Sequence, residues 1–192
     1  MELIFATNNR HKVKEIQAAI GNKISIRTLQ EAGIEVDIPE PHDTLEANAL
    51  EKARTIYELT HSNCFSEDTG LEVEALNGAP GVKSARYAGE EKNFQKNIDK
   101  LLSKLEAADN RHARFRTVIS LIWNHKEYYF EGICEGRIIH AAKGDQGFGY
   151  DPVFVPFGAE KTFAEMVISE KNRYSHRRRA ADKLVSFLQN IH

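Results

Sequence analysis

Apolar and polar positions alternate in two different rhythms along this chain. Leu3-Ile4-Phe5-Ala6 is an unbroken apolar run of the kind a buried strand shows, and after a polar turn Val13, Ile16, Ala19 and Ile20 recur at helical spacing. Ile24 to Leu29 reads as a second strand. Ile34 to His42 reads as a linker, because Pro39 and Pro41 can continue neither a helix nor a central strand and so present Glu40 from stiffened backbone. Asp43, with Glu46 three residues on, predicts a capped helix carrying Leu45, Ala49, Ala53 and Ile56 to about Leu59. Asn63 to Glu67 is strand-like, Asp68-Thr69-Gly70 predicts a turn, and Leu71 to Leu76 is extended again.

Phe94, Ile98, Leu101, Leu102 and Leu105 mark a further helix. The runs Ala113 to Trp123 and Tyr128 to Ile139, joined across Asn124-His125-Lys126, predict a long hairpin and a lobe boundary near it. A glycine-rich loop, Gly144 to Asp151, precedes a short strand at Val153 to Val155, and Ser175 caps a last helix bearing Ala180, Ala181, Leu184, Phe187, Leu188 and Ile191. Helices mixed with isolated strands and a hairpin imply an α/β fold on a mixed sheet.

The 192 residues, 41% of them hydrophobic, suffice for one ordinary domain, 1–192, or for two lobes sharing a sheet. A formal net charge of −2 argues against bulk binding of nucleic acid or anionic membrane, so any anion site must be local. The two cysteines, Cys64 and Cys134, are too few for a disulfide framework or zinc cluster and read as buried thiols. No apolar run approaches a membrane span, and the expected location is the cytoplasm.

Four clusters carry chemistry. Thr7-Asn8-Asn9-Arg10-His11-Lys12 lies between strand and helix, where unsatisfied N–H groups and the helix dipole attract phosphate and Lys12 adds a full charge. It lacks the spacing of a P-loop, and an Asn8 cap with a solvated Lys12 is the plain alternative. In Glu67-Asp68-Thr69-Gly70, adjacent strand residues face opposite ways, so one carboxylate addresses a given cleft; Asp68 is the better candidate, and with Glu40 it would suffice for Mg²⁺. A simple turn and an exposed acid are the plain alternative there. Gly144 to Pro152 combines glycines, Phe148, Tyr150 and Asp151, a composition that suits stacking a planar base and reading its edge. Lys171 and His176-Arg177-Arg178-Arg179 place cations at a helix start, against the dipole by ~0.3–1 kcal/mol each, which calls for a ligand or acid; Arg178 and Arg179 read as solvated.

Taken in order, TNNxxK, the Pro-Glu-Pro linker, EDTGL, GAPGVxSARYAG, GFGYDPVF, AEM…EKN and SHRxxA resemble the inosine triphosphate pyrophosphatase family, also called Ham1, over nearly the whole chain. The resemblance implies an elongated mixed α/β fold, two lobes around a central nucleotide cleft, and a homodimer with neither a stable nucleic-acid partner nor a membrane. It implies Mg²⁺-dependent cleavage of inosine, deoxyinosine and xanthosine triphosphates to monophosphate and pyrophosphate. By motif, Thr7, Asn8, Asn9, Arg10, His11 and Lys12 hold the triphosphate. Asp68 is metal-linked general base, Glu40 the second metal ligand, and Thr69 a substrate contact. Phe148, Gly149, Tyr150 and Asp151 form the base and sugar pocket, which Lys171, His176 and Arg177 complete, and Lys52 resembles a further phosphate contact. The rival readings are a Maf-like pyrophosphatase of other modified nucleotides and a non-catalytic nucleotide- or RNA-binding module.

Overall fold

The computed structural model describes residues 2–191. Its strands are β1 (Glu2–Phe5), β2 (Ser25–Thr28), β3 (Cys64–Val73), β4 (Pro80–Gly81), β5 (His112–Trp123), β6 (Lys126–Ile138) and β7 (Phe154–Pro156). Its helices are α1 (Arg10–Ile20), α2 (Leu45–Thr60), α3 (Phe94–Lys104), α4 (Ile168–Lys171) and α5 (His176–Asn190). The seven strands form one mixed sheet in the order β2-β1-β3-β5-β6-β7, with β4 paired to β3. β1 pairs in parallel with β2 and β3, whereas β4 on β3 and β7 on β6 are antiparallel. The expected hairpin joins β5 to β6 through Asn124 and His125, both at positive φ (48° and 65°), the backbone that a two-residue turn matched to strand twist requires. No helix of the described residues is long and apolar enough to cross a membrane.

The chain divides into two compact units: residues up to Asp68 with Thr117–Gly132 and everything from Arg177 on, and Thr69–Arg116 with Ile133–His176. In the first unit strand alternation builds three layers. Leu3, Phe5, Phe65, Ile119 and Leu121 pack with Ile16 and Ala19 of α1 and Ala180 and Leu184 of α5. Ile4, Ala6, Cys64 and Ile122 point the other way, onto Ala53 and Ile56 of α2. Each fully buried Leu, Ile or Phe in these layers contributes about 1.5–3 kcal/mol.

The second unit has its own core, in which Leu71, Val73, Phe115, Cys134 and Phe154 meet Ile98 and Leu101 of α3. Three of the sequence motifs interlock here. A Cβ on Gly70 would come 2.6 Å from the Gly81 carbonyl oxygen, so the two backbones approach as only glycine permits. The Leu71 amide donates to Ser84 Oγ at 2.8 Å, and the Tyr150 hydroxyl donates to the Ser84 carbonyl at 2.7 Å.

Three expectations change. Asp68-Thr69-Gly70 is not a turn: β3 runs through it unbroken, and Gly70 is there for the close approach of β4. Thr44, not Asp43, caps α2, its side chain accepting from the Ala47 amide at 3.2 Å. Leu76 and Val153 end in short 3-10 turns instead of strand. Both cysteines are buried and unbridged, as expected.

Candidate active site

In the first unit the turn after β1 is organised by its own side chains. Asn9, not Asn8, caps α1: its Oδ1 accepts from the His11 and Lys12 amides at 3.0 and 3.2 Å, and its own amide donates to Thr7 Oγ1 at 3.2 Å. The first-turn amides expected to meet a phosphate are thus partly taken, and the turn's charge comes from side chains. Asn8 Nδ2 donates to the Val36 carbonyl at 2.8 Å, tying the turn to the Pro-containing linker. Arg10 and His11 lie exposed at the start of α1.

Glu67 and Asp68 separate as alternation demands. Glu67 shares the parity of Phe65 and turns toward α1 and α5. Its Oε1 is 2.9 Å from Lys12 Nζ and 3.2 Å from Arg177 Nη2, and its Oε2 takes Arg177 Nε at 2.8 Å. Arg177 Nη1 also pairs with Glu15. Burial opposes the Glu67 charge, yet Arg177 and then Lys12 outweigh it and hold the carboxyl far below the usual range.

Asp68 shares the parity of Cys64 and Ser66, both of which donate to α2 carbonyls, of Ala53 and Ala49 respectively. Its Oδ1 lies 3.7 Å from Lys52 Nζ, which also contacts Glu40 Oε1 at 2.6 Å and donates to the Glu67 carbonyl at 2.9 Å. Burial pushes the Asp68 carboxyl up, and although Lys52 and Lys12 draw it down, Glu40 and Glu67 add to the rise. Burial works against the Lys52 charge, but Asp68 and Glu40 outweigh it and hold the ammonium above its ordinary value.

Two carboxylates from distant segments therefore converge on one cation, the Lys52 ammonium. Hard oxygen donors in that number fit Mg²⁺, which is commonly held by one or two carboxylates, the rest of its shell being phosphate oxygen and water. Among the described residues no group of three or more His, Cys, Asp or Glu is placed to hold a metal ion.

In the second unit the glycine-rich loop leads into Asp151, whose Oδ2 accepts from Lys171 Nζ at 2.6 Å and from the Phe148 amide at 3.0 Å. Both partners of that ion pair are buried. Lys171 Nζ also lies 5.0 and 5.7 Å from the Phe163 and Phe148 ring centroids. Phe148 is half-buried and tilted against Phe94 at 6.1 Å. The His176 ring stacks on Phe115, with centroids 4.6 Å apart and planes at 16°.

The expected pocket residues Phe148, Asp151, Lys171 and His176 thus belong to one unit, with Gly149 in the connecting loop at φ 62°. Tyr150, expected with them, is a core side chain with its hydroxyl on Ser84. Arg177, expected with Lys171 and His176, is grouped with the first unit and gives its guanidinium to Glu67 and Glu15. Thr69 follows Asp68 on β3.

Sequence reasoning passed over Glu15, Asn48 and the holding role of Glu67. Their signal was spacing: Glu15 lies three residues beyond Lys12, and Asn48 four before Lys52, each pair on one helix face. A cavity of about 290 Å³ in the second unit is lined by Glu72, Glu74, His112, Arg114 and Glu135. Its acids already meet His112 and Arg114 at 2.7–3.1 Å, and it contains none of the residues above.

An α/β protein with a carboxylate pair, a lysine-bearing turn before a helix and, in its second unit, an aromatic and ion-paired cluster has the parts of a nucleotide-handling enzyme. The sequence profile of the Ham1 family matches residues 3–187, and the chain belongs to that family. Relatives include dITP/XTP pyrophosphatases of Porphyromonas gingivalis, 51% identical over 97% of both chains, and of Flavobacterium psychrophilum, 48% identical over 99% of this chain and all of that one. Among solved structures, the Staphylococcus aureus Ham1 protein matches with a TM-score of 0.89 at 36% identity, each chain fully covered. A Ham1 protein of Coxiella burnetii matches with 0.88 at 37%, over 98% of both.

Proposed function

We propose that the chain is a Mg²⁺-dependent pyrophosphohydrolase of non-standard purine nucleoside triphosphates, converting dITP, ITP and XTP to monophosphate and pyrophosphate. The observation that carries this is the convergence of Glu40 and Asp68 on a single cation position, with Lys12 held nearby through Glu67. Relatives about half identical over nearly their whole length bear the dITP/XTP pyrophosphatase name.

Glu40 and Asp68 would hold the metal, which when bound neutralises phosphate charge and favours a nucleophilic water. Asp68 orients that water and accepts its proton as the water oxygen bonds to phosphorus and the α–β bridging bond breaks. Lys12 and Lys52 supply fixed positive charge for the pyrophosphate that leaves, so most of the rate comes from electrostatics and positioning.

In the second unit Phe148 offers a ring face for stacking, and the Lys171 ammonium, anchored on Asp151, offers donors to a six-oxo purine. Adenine would set its amino donor against those donors and leave them unpaired. The proposal includes a cytoplasmic homodimer with no stable nucleic-acid partner.

The test is a panel of inosine, xanthosine, adenosine, guanosine and modified pyrimidine triphosphates with products identified by ion-exchange chromatography. Monophosphate plus pyrophosphate from the six-oxo purines is expected. Diphosphate plus phosphate, or preference for pyrimidines as in the Maf-like reading, would remove the assignment.

A further inference from the structure

We propose that Asn48 is a positioning residue for the Glu40 metal ligand, an inference that rests on the assignment of Glu40 to Mg²⁺. Asn48 lies inside α2 with 1% of its surface exposed. Its Oδ1 accepts from the His42 amide at 2.9 Å and its Nδ2 donates to the His42 carbonyl at 3.1 Å. One side-chain amide thus grips both backbone groups of a single linker residue, in the way a neighbouring strand would.

The linker needs such a grip. Pro39 and Pro41 have no N–H, so from Pro39 to His42 only Glu40 and His42 carry a backbone donor, and Asn48 engages the second of these. Ile34, Val36 and Ile38 pack inward on the α2-facing core, with exposed residues between them, and Glu40 continues that alternation as the next inward position. Asn48 fixes the chain two residues past Glu40, and Lys52, one helical turn further along the same face, takes its carboxylate at 2.6 Å. The two anchors differ in kind. A metal ion competes with the Lys52 ammonium for the Glu40 oxygens, whereas the Asn48 grip involves only backbone and persists when metal enters. Asn48 therefore keeps the chain beside Glu40 in place when the Lys52 contact is displaced.

The test uses Mn²⁺ alone, titrated by electron paramagnetic resonance without nucleotide, on Asn48→Ala, Asn48→Leu and Glu40→Gln. Asn48→Leu fills the volume while deleting both hydrogen bonds, so packing is retained if the alanine variant folds poorly. Both Asn48 variants are expected to bind Mn²⁺ about tenfold more weakly, the low end of the loss when a group supporting a metal ligand is removed. Half-saturating Mg²⁺ in turnover should rise by the same factor, with kcat at saturating Mg²⁺ within about threefold of wild type. Amide hydrogen exchange should quicken in residues 36–43 and stay unchanged in β1 and α1. Wild-type Mn²⁺ affinity in a folded Asn48→Leu, with Glu40→Gln weakened, overturns the role of Asn48 alone. Wild-type affinity in Glu40→Gln overturns the metal assignment and the inference with it.

Discussion

Replacing Arg177 by alanine tests the electrostatic interior of the first unit most directly. The guanidinium sits between two buried carboxylates: Glu67, whose side chain has no exposed surface, and Glu15, with 9%. Removing one member of a buried ion pair leaves charge uncompensated and costs about 3–5 kcal/mol. At about 2–4 °C per kcal/mol for a chain of this length, the melting temperature should fall by about 6–20 °C. The pH dependence gives the sign. Glu67 is depressed in the folded wild type, so its contribution is full above the unfolded carboxyl value of about 4.3 and is lost only as pH falls through the lower folded value. In Arg177→Ala burial still opposes the Glu67 charge and Lys12 alone remains to counter it, so the folded variant takes up a proton more readily than wild type as pH falls. The gap in melting temperature should therefore be widest near pH 7.5 and narrower at pH 5, as differential scanning calorimetry would read. A loss under about 2 °C, or a gap that widens in acid, would refute this reasoning. If the variant instead kept its melting temperature and lost discrimination between inosine and adenosine triphosphates, the guanidinium would be working on the base, as the motif order implied.

Asp68→Asn should lower turnover by about 10³-fold, within the range for a lost general base, while calorimetric binding of inosine triphosphate stays close to wild type; comparable rates would remove Asp68 from the mechanism. Gly147→Ala places a Cβ against Asp151 Oδ2 at a φ of +71°, so KM for inosine triphosphate should rise about ten- to a hundredfold if the Asp151–Lys171 pair orders the pocket. Thr44→Ala should cost about 1 kcal/mol, or about 2–4 °C in a thermal melt, whereas Asp43→Ala should cost almost nothing if Thr44 is the cap. Chelation with EDTA should stop pyrophosphate release and added Mg²⁺ restore it; release that persists without metal would refute the carboxylate assignment.

The four longer helices and the hairpin were legible because each repeats an apolar position at its own period over ten or more residues, as in α5 with Ala180, Ala181, Leu184 and Leu188, whereas the four-residue α4 is too short to show one. The family was legible because seven short motifs keep their order. What escaped was set by partners far away in sequence. Thr69-Gly70 has turn composition, and only the Gly81 backbone pressing on Gly70 shows why the residue stays in a strand. Arg177 finds its acids 110 and 162 positions back, and nothing local in the sequence signals that pairing. Tyr150 carries the composition of a base-stacking residue, yet its neighbours Ser84 and Tyr87 come from another motif. The inward alternation Ile34, Val36, Ile38, Glu40 was present in the sequence and hidden by the two prolines, which mark a linker without saying that it packs.

The different fates of Glu67 and Asp68 follow from one property of a strand. Had Asp68-Thr69-Gly70 been a turn, neither carboxylate would have had a face assigned to it. Because β3 continues, Cys64, Ser66 and Asp68 must address α2, and Phe65 and Glu67 must address α1 and α5. Each helix then supplies what its face requires. α1 and α5 bring Lys12 and Arg177, two cations that neutralise Glu67 and bind it into the frame. α2 brings a single lysine for Asp68, already shared with Glu40. On the first face Lys12 and Arg177 balance the Glu67 and Glu15 carboxylates, and on the second Asp68 and Glu40 outnumber the lysine. In the proposed reading, that excess of carboxylate is what would draw a divalent cation to the second pair. The first face, by contrast, holds Lys12 in place through Glu67, so the phosphate role proposed for it would need no ligand to order the side chain.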